Sequence, residues 1–379
     1  MASWAEIESS LPPAALAALK AAQAMKNTTT FSSTSSNNNN TPATETKKET
    51  DSTYLYDKEL LSLQETFHLQ STQQYLLAET PADSLLDTIQ KDGVVRINNV
   101  LPSHLCDALK QKVNQELEAR VSILEADGFQ ASQAQSPGGF GRVYSRQNRY
   151  DLYVRNKGIY AECFKYLMEH SVGDFFRSLF AQGAAAKKNQ HNVMVPSVAL
   201  HPSMETLAKT ERNASGVVAN ETIDASLWEY STMNSDPGSP RQPIHPDNSW
   251  TKQPVLYTAF IALQDIDEDM GPTLFLPGTQ SQESHQIFLG GDVEKRNHFL
   301  KNQVKYVTSQ LRKGDAQIMD SRILHAGLDN RSKTGKRRTL FYFTMRNPNA
   351  DPRDFVAVPK GSIYSDVNIK LEDYTSATH

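Results

Sequence analysis

The sequence has too few cysteines, too little excess charge and too short a hydrophobic run for several classes of protein. Only Cys106 and Cys163 occur in 379 residues, which is too few for a disulfide framework or a cysteine-rich zinc site. The net charge is −4, whereas nucleic-acid-binding surfaces typically carry a clustered excess of Lys and Arg. No segment approaches the ~20 apolar residues that a membrane-spanning helix needs. We therefore expect neither a nucleic-acid partner nor a membrane span.

The two ends of the chain do not resemble targeting signals. Residues 1–25 contain Glu6 and Glu8 but no arginine, unlike a secretory signal or a transit peptide. The last three residues, Ala377 to His379, differ from the peroxisomal Ser-Lys-Leu signal. We therefore expect a cytoplasmic protein, and two cysteines are consistent with a reducing compartment.

Composition divides the chain into a polar N-terminal segment and a longer folded domain. Residues 27–53 are almost all Asn, Ser, Thr, Lys and Glu, and such a segment buries too little apolar area to offset the entropy cost of ordering. We predict a disordered low-complexity segment over 1–53 and one domain over 54–379. Within that domain, residues 183–222 show little periodicity and are interpreted as an insertion loop.

Helical periodicity comes first along the domain, and strand-like patterns follow. Leu85 to Arg96 predicts a helix and then a strand, Ser103 to Leu124 an amphipathic helix, and Ile159 to Phe180 a second helical region. From Leu227 to Met345, short apolar runs alternate with Pro, Gly and Asp turns, which is typical of a β-sandwich or barrel. The clearest strands are predicted for residues 254–263, 274–276, 317–319 and 338–345.

One of the ten histidines has a carboxylate neighbour at strand spacing. His245 and Asp247 are two residues apart, and residues i and i+2 of a strand share a face. His325, several predicted strands later, is the best candidate for a third ligand. Two histidines and one carboxylate form the facial triad of non-haem Fe(II) oxygenases, which leaves positions open for a co-substrate and O2. A surface or structural role is favoured for the other histidines.

Adjacent arginines open the last predicted strand. Arg337 and Thr339 share a face by the strand period, and a fixed guanidinium beside a hydroxyl is a good receptor for a carboxylate. On spacing alone, a solvated basic turn with Lys336 explains Arg337 and Arg338 equally well. Beside the triad, the receptor interpretation is favoured. The predicted interior row is then Arg337, Thr339, Phe341 and Phe343.

Further short motifs occur in a fixed order along the chain. They are Lys91-Asp-Gly-Val-Val, Gln242-Pro-Ile-His-Pro-Asp247, Ile261-Ala-Leu-Gln-Asp, Met270-Gly-Pro-Thr, Leu276-Pro-Gly-Thr, Gly314-Asp, His325-Ala-Gly, Asn330-Arg-Ser and Arg337-Arg-Thr-Leu. Over about residues 85–346 this series resembles the phytanoyl-CoA dioxygenase-like family of Fe(II)/2-oxoglutarate-dependent oxygenases. The resemblance implies a mainly β fold with flanking helices, a double-stranded β-helix (jelly roll, cupin-like).

The resemblance also implies the cofactors and the residues that bind them. Fe(II), the co-substrate 2-oxoglutarate and O2 are expected, and the iron ligands are His245, Asp247 and His325. Arg337 is expected to hold the distal carboxylate of 2-oxoglutarate. The turn before it is one residue longer than the commonest family spacing, so Arg338 is an alternative.

The same resemblance has implications for three positions. Phe260 matches a position that carries, in some relatives, an aromatic ring packed on the co-substrate. Gly327 stands where relatives often have a serine, which puts one hydrogen bond to the co-substrate in question. Asp247 occupies the position that is a small residue in related halogenases, and a carboxylate there favours hydroxylation or desaturation over halogenation.

The implied activity is oxidation, most simply hydroxylation, of a C–H bond of a small organic substrate, with release of succinate and CO2. Two other interpretations stay open. One is a non-catalytic jelly-roll binding or scaffold protein with a vestigial iron site, and the other is a cupin-like metalloenzyme that does not use 2-oxoglutarate. Arg146, Arg149 and Arg155 are either a cationic rim for an acidic substrate or simple surface charges.

Overall fold

The computed structural model describes residues 74–126, 147–191, 224–358 and 361–375. The N-terminal segment predicted to be disordered and residues 192–222 of the predicted insertion lie outside these ranges. The remaining part of the predicted insertion is not a loop, because one helix runs without a break from Ser171 to His191. The prediction of a loop is therefore wrong for residues 183–191.

The strands and helices of the described residues alternate less simply than predicted. Three strands precede Leu227 and two helices follow it, so the expected order of helices and then an all-β core holds only in part. None of the helices in these ranges is both long and apolar enough to cross a membrane.

The strands are β1 (Gln74–Leu76), β2 (Val94–Ile97), β3 (Arg149–Tyr153), β4 (Leu227–Ser235), β5 (Leu256–Ala262), β6 (Thr273–Phe275), β7 (Tyr306–Ser309), β8 (Ala316–Asp320), β9 (His325–Gly327) and β10 (Arg338–Arg346). The helices are α1 (Leu85–Asp92), α2 (Ser103–Ala126), α3 (Ile159–Glu169), α4 (Ser171–His191), α5 (Gln282–Leu289) and α6 (Val293–Asn302).

The strands form two sheets. The larger sheet has the order β2-β8-β5-β10-β4-β3, and the smaller one has the order β1-β7-β6-β9. All neighbouring pairs are antiparallel except β1 and β7. An isolated antiparallel bridge between His245 and His325 extends the smaller sheet beyond β9. Two sheets with flanking helices make the double-stranded β-helix that the sequence predicts.

Helices α2, α3 and α4 cover one face of the larger sheet. Phe164 of α3 makes edge-to-face contacts with Phe343 of β10 and Tyr230 of β4, at centroid distances of 5.0 and 5.4 Å. These rings belong to one buried apolar cluster that also contains Leu109 of α2 and Phe176 of α4. Burial of this much apolar surface is the main stabilising contribution to a fold of this kind. The opposite face of the sheet is left to line a cavity.

Candidate metal centre and its cavity

The structure brings together the three residues predicted as metal ligands. The backbones of His245 and His325 exchange two hydrogen bonds, each with an N···O distance of 2.9 Å. The Nε2 atoms of His245 and His325 lie 3.7 and 3.6 Å from Oδ1 of Asp247. One ligand atom from each of the three residues lies within 4.8 Å of the other two. These donors are close enough together to bind a single ion.

Backbone carbonyl groups orient both imidazole rings. Nδ1 of His245 lies 2.7 Å from the oxygen of Pro243, and Nδ1 of His325 lies 3.0 Å from the oxygen of Ile323. Because a carbonyl oxygen only accepts, each Nδ1 donates, and a neutral ring then keeps its lone pair on Nε2. Burial, followed by the charge of His325, lowers the pKa of His245 to about 3. His245 is therefore a neutral ligand with its free nitrogen directed toward Asp247.

The triad lines a cavity of about 200 Å³. The side chain of Asp247 is 40% exposed, whereas those of His245 and His325 are 4% and 8% exposed. The cluster is therefore accessible from the side of its carboxylate. Phe260 lines the same cavity and stacks on Tyr342 with a centroid distance of 5.3 Å, which places it where an aromatic wall of the site was expected.

Arg338, rather than Arg337, reaches this cavity, so the preferred assignment of the two arginines is wrong. Arg338 is 2% exposed and lines the cavity, and its Nη2 donates to Oγ of Ser235 at 3.2 Å. Arg337 lies outside the cavity in an ion pair with Asp236. Its Nη2 lies 3.1 Å from Oδ2 of Asp236, and its Nη1 donates to Oδ1 of Asn114 on α2 at 3.3 Å.

The packing of β10 explains the exchange of the two arginines. Phe341 and Phe343 pack in the cluster beneath the helices, and the strand period places Thr339 and Arg337 on that same side. Thr339 is fully buried, its hydroxyl has no hydrogen-bond partner among the described residues, and it does not line the cavity. The predicted interior row is therefore wrong by one residue. The observed interior row is Arg338, Leu340, Tyr342 and Thr344.

A second buried arginine, which sequence analysis did not place in the site, lies beside Arg338. Arg149 of β3 and Arg338 of β10 both pair in register with Ser235 of β4, and Nε of Arg149 donates to the Ser235 hydroxyl at 3.1 Å. Burial lowers the pKa of Arg338 to about 10. Burial and then the charge of Arg338 lower the pKa of Arg149 to about 9.

These two guanidinium groups form no ion pair in the described residues, although the charge of Asp329 offsets part of the lowering of the pKa of Arg149. Within the same ranges, Nη1 of Arg149 and Nε of Arg338 have no hydrogen-bond partner. Burying positive charge without a partner costs free energy. An anionic ligand would remove that cost, so this basic end of the cavity fits a carboxylate.

Gly327 lies against the side chain of Gln242. Its N–H donates to Oε1 of Gln242 at 2.8 Å. A Cβ atom at this position would lie 2.4 Å from that oxygen and 3.6 Å from Cζ of Arg149. A larger residue would require the side-chain amide of Gln242 to move from its present position.

The three arginines considered as a cationic rim do not form one in the described residues. Arg149 is only 2% exposed, which contradicts both a rim position and a simple surface charge. Arg155 pairs with Asp366, and its Cζ lies 4.5 Å from the ring centroid of Tyr364. Arg146 lies outside the described ranges.

Two carboxylates that sequence analysis missed also line the cavity. Asp151 of β3 is 2% exposed and accepts hydrogen bonds from the hydroxyl groups of Ser231, Tyr342 and Ser362. The tyrosine donates at 2.9 Å. All three of these donors are uncharged hydroxyl groups.

Glu229 of β4 is the second missed carboxylate. Its Oε2 accepts from Oγ1 of Thr344 at 2.5 Å. Burial is the largest cause that raises the pKa of Glu229 to about 7, and the charges of Asp247 and Asp151 add to it. The signal that could have revealed Glu229 is the period of two in β4, where Glu229, Ser231 and Ser235 alternate with the residues that face the helices.

Comparison with known families gives one match. The family model of phytanoyl-CoA dioxygenase (PhyH) matches residues 89–339, which is more than half of the chain. That range lies inside the region for which the motifs predicted the family. No curated protein matches the chain.

Three solved structures are similar in outline. AviO1 from Streptomyces viridochromogenes Tue57 is 15% identical, with a TM-score of 0.43 over 72% of this chain and 98% of that one. The non-haem alpha-ketoglutarate-dependent carbocyclase SnoK from nogalamycin biosynthesis is 15% identical, with a TM-score of 0.40 over 71% and 87%. The epimerase SnoN from the same biosynthesis is 16% identical, with a TM-score of 0.35 over 70% and 82%. Likeness at this level carries no argument about the reaction.

Proposed function

Because the chain belongs to the phytanoyl-CoA dioxygenase family, and is thus an Fe(II)- and 2-oxoglutarate-dependent oxygenase, we propose that it hydroxylates a C–H bond of a small organic substrate. Succinate and CO2 are the co-products, and O2 is the oxidant. The observation that carries this proposal is the single cavity that His245, Asp247, His325 and Arg338 all line. One cavity thus contains donors for a metal and a receptor for a dicarboxylate.

In this proposal His245, Asp247 and His325 hold the iron. When bound, the iron supplies the redox chemistry that couples reduction of O2 to decarboxylation of 2-oxoglutarate and oxidation of the substrate. The two histidines offer Nε2 lone pairs, and Asp247 supplies a negative charge that offsets part of the charge of the ion. The backbone bridge and the two Nδ1 hydrogen bonds fix the donors, since such contacts hold ligands in their binding orientation.

The basic end of the cavity binds the distal carboxylate of 2-oxoglutarate. The planar guanidinium of Arg338 matches the two oxygens of a carboxylate, and its Nε is a donor without a partner. Arg149 adds a second charge, and the Ser235 hydroxyl accepts from both arginines. Leu340 and the stacked ring of Phe260 keep water from this end, which strengthens the charge pairing.

We also propose a cytoplasmic location. Cys106 and Cys163 are both buried and free, and burial raises the pKa of each thiol to about 12. The chain thus has no disulfide to maintain and no activated thiol, which suits a reducing compartment.

Succinate release from 2-oxoglutarate tests the proposed function. We expect release by the wild-type protein with Fe(II) and O2, loss of release and of Fe(II) affinity in Asp247→Ala, and a preserved fold by circular dichroism. Asp87→Ala, at an exposed position of α1, is the matched control and should behave as the wild type. Unchanged release and iron binding in Asp247→Ala would contradict the triad assignment. Absence of both iron binding and release in the wild-type protein would favour the non-catalytic binding protein.

A further inference from the structure

The inner face of the larger sheet carries opposite charges at its two ends. Arg338 pairs in register with Ser235 at one end, and Thr344 pairs with Glu229 and with Thr258 at the other. Arg338 and Thr344 lie on the same side of β10, six residues apart, which is about 20 Å at ~3.4 Å per residue. Both ends belong to the cavity that the metal triad lines.

The acidic end is left to a second ligand. A five-carbon dicarboxylate held by Arg338 and by a metal at the triad has both of its carboxylates occupied, so neither is left to pair with Glu229. The carboxylate of Glu229 would also repel either carboxylate of 2-oxoglutarate. A molecule in this part of the cavity is therefore the substrate, and its charge has to suit Glu229.

Glu229 lacks a cationic partner among the described residues. It forms no ion pair within those ranges, and its hydrogen-bond donors are the Thr344 hydroxyl at 2.5 Å and the N–H of Ser362 at 3.5 Å. Both donors are uncharged. A carboxylate that is partly withdrawn from water and served only by neutral donors pairs favourably with a cation.

Asn248 gives an independent indication of the same ligand chemistry. It lines the cavity and is only 8% exposed, yet its side-chain oxygen Oδ1 has no hydrogen-bond partner in the described part of the chain. Its backbone N–H is already used, donating to the oxygen of Ser321 at 3.0 Å. A buried acceptor without a donor costs free energy, and an N–H group of a ligand would remove that cost.

We propose that the substrate carries a basic nitrogen, such as a primary ammonium group, which binds Glu229 at the acidic end with Asn248 as a further acceptor. This inference rests on the proposed function of the same cavity, because it assigns 2-oxoglutarate to the arginine end. Leu256 and Val358 also line the cavity and provide apolar contacts for a carbon skeleton. An acidic substrate is disfavoured, since its charge would face Glu229 and Asp247.

Binding of three probes of equal length tests this charge preference. The full-length protein, loaded with Mn(II) and 2-oxoglutarate, is titrated by calorimetry with hexylammonium, 1-hexanol and hexanoate. We expect hexylammonium to bind at least about tenfold more tightly than 1-hexanol, and hexanoate to bind most weakly, because a buried charge pair contributes strongly to affinity.

Three variants locate the site of the amine. Glu229→Gln keeps the shape and removes the charge, and should lose at least about tenfold in hexylammonium affinity. Asn248→Ala should lose less, about threefold, since it removes one neutral acceptor. Glu268→Gln is the matched control, because Glu268 lies on an exposed turn. Affinity for 2-oxoglutarate should stay unchanged in all three variants.

Two results would overturn the proposal. One is equal binding of the three probes, and the other is unchanged hexylammonium affinity in Glu229→Gln, as expected if the amine only coordinated Mn(II). In a screen for stimulated succinate release, a substrate without a basic nitrogen would also overturn it. A separate measurement tests the proposed function itself. If that function is wrong, the Mn(II)-loaded wild-type protein should not bind 2-oxoglutarate, and Arg338→Ala should behave in the same way.

Discussion

The two faces of β10 are equally buried but have different partners. Phe341 and Phe343 are both fully buried and pack against rings of the helices and of β4. Arg338 and Tyr342 are 2% and 4% exposed, yet they line the cavity of the triad. Burial therefore does not separate the functional face from the core face of this strand.

What separates the two faces is the kind of group that each one presents, since the helix side carries aromatic rings and the cavity side carries a buried charge. Rings on the helix side are satisfied by apolar contact with one another. On the cavity side, Nε of Arg338 has no partner among the described residues, and a charged group in that state is available to a ligand. A register shift of one residue would exchange the two faces completely, so variants on each face should have different effects.

Phe343→Ala should produce the largest effect, and it should be an effect on stability. Phe343 contacts Phe164 and Phe176 at centroid distances of 5.0 and 6.2 Å, and removing a buried ring leaves a cavity. We expect the free energy of unfolding to fall by about 3–5 kcal/mol, measured by urea denaturation. Affinity of the folded fraction for 2-oxoglutarate should be unchanged. A loss below ~1 kcal/mol would show that this face is not the core face.

Arg338→Ala should produce the largest effect on binding. Removing one partner of a buried charge pair should cost roughly 2–5 kcal/mol, or on the order of 30- to several-thousand-fold in 2-oxoglutarate affinity. Arg337→Ala is the matched control and should change this affinity by less than about threefold, because its ion pair with Asp236 lies outside the cavity. Titration with Mn(II) in place of Fe(II) measures both. A greater loss in Arg337→Ala would reverse the assignment of the two faces.

The triad and the fold could be predicted because their signals are carried by short stretches of sequence. His245 and Asp247 are two residues apart, and His325 follows in a motif of its own. The strands β5, β8 and β10 are predicted from apolar runs, since a strand covered on both faces is apolar along its length. Helix α5 was not predicted, although its sequence carries a local signal for a helix start. Ser281 precedes the helix, and its Oγ accepts from the N–H of Ser284 at 3.2 Å.

The carboxylate receptor and the acidic end could not be predicted, because they depend on pairing between distant strands. Arg149 meets Arg338 only because β3 and β10 both pair with β4, and β3 itself was not predicted. The correct face of β10 was also undetermined, because both rows of side chains are buried and the period of two does not say which row faces the helices. Which side chains meet in the cavity is decided by the pairing and register of the strands, which are properties of the folded sheet.

Tyr342→Phe should have a smaller effect that separates the ring from its hydroxyl. The hydroxyl donates to Oδ1 of Asp151 at 2.9 Å, and the ring stacks on Phe260. We expect a loss of about 1 kcal/mol in the free energy of unfolding, the typical net contribution of one hydrogen bond. Affinity for 2-oxoglutarate should stay within about twofold, since the ring remains. A large loss of that affinity would place the hydroxyl at the co-substrate.

Glu229→Gln should change the pH dependence of stability. The pKa of Glu229 rises from 4.5 to about 7 in the folded protein, mainly through burial. The folded state therefore holds this proton more tightly than the unfolded state. The stability that Glu229 contributes is complete below pH 4.5 and is lost as the pH rises through about 7.

Glu229→Gln should remove that loss, because glutamine does not ionise. In the metal-free protein, where no bound cation adds its charge, the wild type should become less stable relative to the variant as the pH rises from about 5 to about 8. Urea denaturation of both proteins across this range measures the difference, in which groups that do not interact with Glu229 cancel. If the free energies of unfolding of the two proteins changed in parallel with pH, Glu229 would be solvated in the folded protein. The cavity side of β10 would then bury a charged group only at its arginine end.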